Sequence, residues 1–174
     1  MSASLHATSV PAFIGMLNNI KSWLDLAATN GNEAALLEAR LTDDMFPLAR
    51  QIQIASDAAK GAGARMTATE APAMPDEEKT FAELQARCDK TIAYLQGVDP
   101  AAYDAGATRE IVITFPNGGG VKFDGQTFLT GFALPNFYFH AAMTYAILRA
   151  NGVPLGKQNF LGHLMPYMFA PPSA

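Results

Sequence analysis

Apolar residues Phe13, Met16, Leu17, Ile20, Trp23, Leu24 and Ala27 recur at helical spacing. They predict a first long helix from about Pro11, with Ser9 as N-cap and proline in the first turn, ending near Asn30-Gly31. A short helical piece over 33–40 leads to Leu41-Thr42-Asp43-Asp44, whose acidic residues suit the cap of a second long helix from about Met45 to Lys60. Pro47 fits its first turn, and Met45, Leu48, Ile52, Ala55 and Ala59 form its core face. Gly61 and Gly63 mark the stop. Two prolines make 67–76 a loop, after which Thr80-Phe81-Ala82-Glu83 has the spacing of a capping box. A third long helix then runs through Leu84, Cys88, Ile92 and Leu95 to Gly97.

The period changes over 109–123. Arg109-Glu110-Ile111-Val112-Ile113-Thr114-Phe115 is β-branched and partly alternating, Pro-Asn-Gly-Gly-Gly turns, and Val121-Lys122-Phe123 returns, which reads as a small β-hairpin. From about Gln126 the helical period resumes through Phe128, Leu129 and Phe132 until Asn151-Gly152 stops it, with Pro135 as a kink or a divider. Four long helices, one local hairpin and no internal repeat predict an all-α fold: a four-helix bundle with a β-hairpin between the third and fourth long helices. The connection holding the hairpin is too long to require simple up-down neighbours. The segment 156–162 and the proline-rich end are expected to wrap back, anchored by Phe160 and Leu161.

Length and composition narrow the function. With 174 residues, 49% hydrophobic content and mean hydropathy +0.08, the chain is expected to form one domain over 1–174. Only 16% of residues are charged and the net charge is -4. Lysine and arginine are scattered singly, so no basic stripe exists to neutralise nucleic acid. So few surface charges favour association of copies, and a homodimer is expected. Cys88, the single cysteine, rules out an internal disulfide and falls in register with a helix core. The first twenty residues lack a basic start, and no run of about 18 apolar residues suits a membrane. A cytoplasmic location is expected.

The candidate chemistry lies in the run Leu134-Pro-Asn-Phe-Tyr-Phe-His-Ala-Ala-Met-Thr-Tyr145. Asn136, His140 and Thr144 stand at i, i+4 and i+8, a polar stripe on an apolar helix. Tyr145 and the neighbouring aromatics are expected to line the cluster. Gln51, adjacent to the core face of the second long helix, is placed to hydrogen-bond His140. His6 and His163 lie near the ends of the chain, outside the expected bundle centre. Asn117-Gly118-Gly119-Gly120 lacks the following helix and Lys-Ser/Thr of a phosphate loop.

Leu-Thr-Asp-Asp-Met-Phe-Pro-Leu-Ala-Arg-Gln-Ile at 41–52, Asn-Phe-Tyr-Phe-His at 136–140, Tyr145-Ala-Ile-Leu-Arg149 and Gly152-Val-Pro-Leu-Gly-Lys157, with the order of the four helices, resemble an uncharacterised bacterial domain family. That family lies within the DinB/YfiT-like four-helix bundles. The resemblance implies long-crossover topology, frequent dimerisation and, in better-known relatives, a divalent metal held by three histidines: one on the second long helix and a His-x-x-x-His pair on the fourth. Those relatives include metal-dependent thiol transferases and hydrolases. Here His140 matches the second histidine of the pair and Asn136 stands where the first would be. No histidine lies between 41 and 66, where Gln51 is nearest in place. Two of the three ligands are thus replaced by amides. The expected function is a bundle with a degenerate metal site that binds a small ligand or a partner, without a cofactor and without enzymatic activity. The alternative is a divalent-metal-dependent thiol transferase or hydrolase holding zinc or nickel through His140.

Overall fold

The computed structural model describes residues 3–115 and 117–169. Its long helices are α1 (Leu5–Ala28), α3 (Leu48–Thr67), α4 (Phe81–Gln96) and α7 (Leu134–Ala150). The short α2 (Glu33–Glu38) lies between α1 and α3, and α5 (Pro100–Ala105) follows α4. The hairpin strands β1 (Glu110–Thr114) and β2 (Gly120–Asp124) pair antiparallel, with Glu110 opposite Asp124 and Thr114 opposite Gly120. Next come α6 (Gly125–Phe128), a π-helical turn Leu129–Ala133 that runs without a break into α7, and α8 (Lys157–Phe160) near the chain's end. No helix among the described residues is long and apolar enough to cross a membrane.

Around the bundle α1 packs on α4 and α7, and α3 packs on the same two helices. Chain neighbours α1 and α3 therefore sit diagonally, as do α4 and α7, which is the expected long-crossover arrangement. Phe13, Leu17, Ile20, Trp23, Leu48, Ile52, Phe137 and Leu148 are among its fully buried side chains. Thr80 and Glu83 form the predicted capping box at the start of α4, and Cys88 is buried, its thiol pushed up by burial to about 12.

Several boundaries differ from the sequence reading, each for a local reason. α1 starts six residues earlier, capped by the Ser4 hydroxyl. The helix passes through Pro11 because Pro11 and Ala7 both lie exposed, so the carbonyl that loses its partner meets water. Ser9 is no cap; it is buried, and its hydroxyl lies 2.9 Å from that of Tyr103 on α5. α3 starts at Leu48 without help from Asp43 or Asp44, and it continues through Gly61 and Gly63 to a left-handed cap at Ala68 (φ 55). Gly63 admits the Tyr94 ring, which an added Cβ would meet at 3.0 Å. Lys157 opens α8, with Gly156 at its N-cap. Phe160 anchors the returning segment by stacking on Trp23 at 5.6 Å, whereas Leu161 is exposed. Pro116 of the predicted hairpin turn and the residues from 170 onward lie outside the described residues.

Candidate functional site

α3 and α7 run antiparallel, and Gln51 meets His140 between them: Gln51 Oε1 lies 2.7 Å from His140 Nδ1. The Gln51 amide nitrogen donates to the Phe46 carbonyl at 3.0 Å, which fixes the amide so that Oε1 faces the imidazole as an acceptor. Nδ1 therefore carries the proton and donates, leaving the Nε2 lone pair open. Nε2 has no hydrogen-bond partner among the described residues and is not among the fully buried orphan atoms, so it reaches solvent although His140 is only 7% exposed. Phe139 lies beside it, edge-on at 5.2 Å and half exposed.

Burial, and after it the charge of Arg50, holds the His140 imidazole below its ordinary 6.5. The unfolded chain accepts a proton on this residue at a higher pH than the folded one does, so the neutral imidazole's contribution to stability is whole above 6.5 and declines as pH falls below it. The thermal midpoint is expected to drop less for His140→Gln than for the parent chain between about pH 7.5 and 5.5, a range bracketing an ordinary imidazole. Scanning calorimetry at the two pH values checks this, and parallel drops would contradict it.

The other residues of the stripe separate. Thr144 is buried and spends its hydroxyl on the His140 carbonyl, 2.9 Å away. Tyr145 is turned toward α1 and α8, edge-on to Trp23 and Phe160, each at 5.7 Å. Asn136 is half-buried, and its amide has no hydrogen-bond partner among the described residues. It lines a cleft of about 220 Å³ with Ile54, Asp57 and Arg65 of α3, Phe132 of the π-helical turn and Ile113 of the hairpin. The hairpin thus walls the groove one helical turn from His140.

An ion-pair network behind this groove did not emerge from the sequence pattern. Arg87 of α4, 2% exposed, donates to Ser56 Oγ (3.2 Å), the Pro75 carbonyl (3.2 Å), Glu78 (2.9 Å) and Asp57 (2.7 Å), and it forms an ion pair with Asp76 at 3.0 Å. Lys60 pairs with Asp57 at 2.9 Å, and Arg50 pairs with Asp76. The signal was present: Arg87 and Thr91 fall on the same helical stripe as Leu84, Cys88 and Leu95, and polar groups on a core stripe require buried partners. Arg87 thus ties Ser56 and Asp57 of α3 to Pro75, Asp76 and Glu78, so this is a structural clamp on the loop before α4.

The three histidines lie apart. His6 stands edge-on to Tyr103 at 5.6 Å, and His163 Nδ1 lies 2.9 Å from the Asn19 amide nitrogen on α1. Among the described residues no three His, Cys, Asp or Glu side chains are grouped to hold a metal ion. One imidazole nitrogen beside an amide whose oxygen is already engaged does not fit the three-histidine centre implied by the resemblance.

Helix order, crossover connections and the α3–α7 groove define a DinB-like four-helix bundle. A crystal structure of a DinB family member protein from Shewanella denitrificans is 39% identical, covers 95% of this chain and 96% of its own, and superposes with a TM-score of 0.84. The chain belongs to the DUF1993 family, a domain of unknown function whose family model matches residues 5–161. No curated protein matches it.

Proposed function

We propose that this DinB-like bundle is a binding protein rather than an active enzyme, and that it takes a small ligand in the α3–α7 groove. The observation that carries this reading is the His140–Gln51 pair. Its hydrogen bond fixes the imidazole tautomer and presents Nε2 as a neutral acceptor, with the exposed Phe139 ring as an adjoining apolar surface. Such a site recognises an N–H or O–H donor carried on a flat or apolar body. The amides at the two other ligand positions hydrogen-bond well but bind transition metals weakly, which argues against a metal-activated water or thiol.

Two measurements on untagged protein purified without chelator test the proposal. Elemental analysis is expected to find substoichiometric metal in both the parent chain and His140→Ala. A small-molecule screen followed by the His140 side-chain nitrogen resonances is expected to yield ligands that shift Nε2 and lose binding in His140→Ala. Near-stoichiometric metal that disappears in the variant would overturn the proposal in favour of a metal-dependent thiol transferase or hydrolase. A screen without ligands would overturn it as well.

A further inference from the structure

Arg65 is a cation that stands outside the ion-pair network. Arg50, Lys60 and Arg87 face Asp57, Asp76 and Glu78, three charges against three. Arg65 has no carboxylate within ion-pair distance among the described residues. Its guanidinium has a defined seat all the same. The carbon Cζ lies 5.9 Å from the centroid of the Phe128 ring, and the side chain folds back one turn over Gly61, where an added Cβ would stand 2.5 Å from Nη1. Helical side chains lean toward the N-terminus of their helix, which carries this guanidinium toward the cleft shared with Asp57 and Asn136. A glycine inside a helix is less favourable than alanine; here it makes room for the arginine.

Across the cleft the half-buried Asn136 amide lacks a partner among the described residues, while Ile54, Ile113 and Phe132 supply an apolar wall. The π-helical turn Leu129–Ala133 forms one side, a feature that in other helices frequently marks functional sites. We propose that this cleft binds a small monocarboxylate with an apolar body. Its oxygens accept from the Arg65 guanidinium and the Asn136 amide N–H, and its body lies against the isoleucine and phenylalanine side chains. A planar guanidinium matches a carboxylate through two parallel hydrogen bonds. Asp57, a carboxylate on the same cleft, disfavours a dianion. This inference rests on the groove being a ligand site and assigns the charge and class of what enters it.

The test is a titration of the full chain with benzoate, phenylacetate and hexanoate, followed by amide nitrogen–proton spectra, with neutral benzamide as control. At least one carboxylate is expected to give saturable shifts around Arg65, Asn136 and Ile113 and to bind at least about tenfold more tightly than benzamide, the scale of a charge-assisted hydrogen bond. Arg65→Met and Gly61→Ala are each expected to remove most of that binding. Gly61→Ala does so with the thermal midpoint unchanged or raised, because its Cβ meets only the far end of a flexible side chain. Binding without preference over benzamide, binding indifferent to both variants, or no binding of any carboxylate overturns the inference. Shifts confined to His140, Gln51 and Phe139 overturn it while sparing the ligand-binding reading. A failure of that reading is separately visible as the absence of His140-dependent ligands in the screen.

Discussion

Arg87→Met is expected to lower the free energy of unfolding by about 3–5 kcal/mol, the cost of removing one partner from a buried charge cluster. Methionine keeps much of the apolar stem but removes five donors. Asp57, Asp76 and Glu78 are then left with only Arg50 and Lys60, and Ser56 Oγ loses a donor in the interior. Against the roughly 5–15 kcal/mol of an ordinary domain this is a large fraction. Arg87→Lys is expected to recover little of it, because an ammonium group cannot reach the Pro75 carbonyl, Ser56 and three carboxylates from one point. Urea unfolding of both variants at neutral pH measures the effect. A loss below about 1 kcal/mol, the scale of an exposed ion pair, would mean that the carboxylates of the loop before α4 regain water at little cost.

Gly106→Ala is expected to destabilise at or above the upper end of the roughly 1–3 kcal/mol typical of overpacking. A Cβ at position 106 would overlap the carbonyl of Met66, backbone against backbone, with no flexible group to give way. The same carbonyl accepts from Arg109 at the C-terminal end of α3, and Gly106 in turn is pressed by Gly125, where a Cβ would overlap the Gly106 carbonyl. The junction of α3, α5 and α6 is therefore built on main-chain contact. Thermal unfolding of Gly106→Ala beside Gly61→Ala checks the contrast: the first midpoint falls by several degrees or more, since about 1 kcal/mol corresponds to about 2–4 °C in a domain of this size, while the second holds or rises. Similar behaviour of the two variants would show that the junction relaxes freely.

These two glycines also show where the chain could be read and where it could not. Local signals with their own hydrogen bonds, such as the Thr80–Glu83 capping box and the β-branched run 110–114, lie where the pattern places them. Gly61 and Gly63 look like a helix stop because glycine ends helices in isolation; their real setting, an arginine seat and a tyrosine contact, comes from residues that are distant in space or folded back along the helix. The helix Pro100–Ala105 was missed although Asp99 as N-cap and Pro100 in the first turn announce it. The pairing of Gln51 with His140 was legible because each sits beside a core position on its own helix. Thr144 and Tyr145 could not be assigned so easily. One residue is a rotation of about 100°, enough to send Tyr145 toward Trp23 while Thr144 stays under the His140 carbonyl.

The single tryptophan of the chain lies where α1 receives α8. Trp23 is fully buried, stacked on Phe160, and its indole N–H donates to the Asn159 carbonyl at 3.0 Å. Its emission therefore reports how well residues 159 and 160 cover the bundle, while the α3–α7 groove remains optically silent. A fluorescence melt and a circular dichroism melt follow different events in this molecule: undocking of α8 reddens the indole, and only loss of the four long helices removes the helical signal.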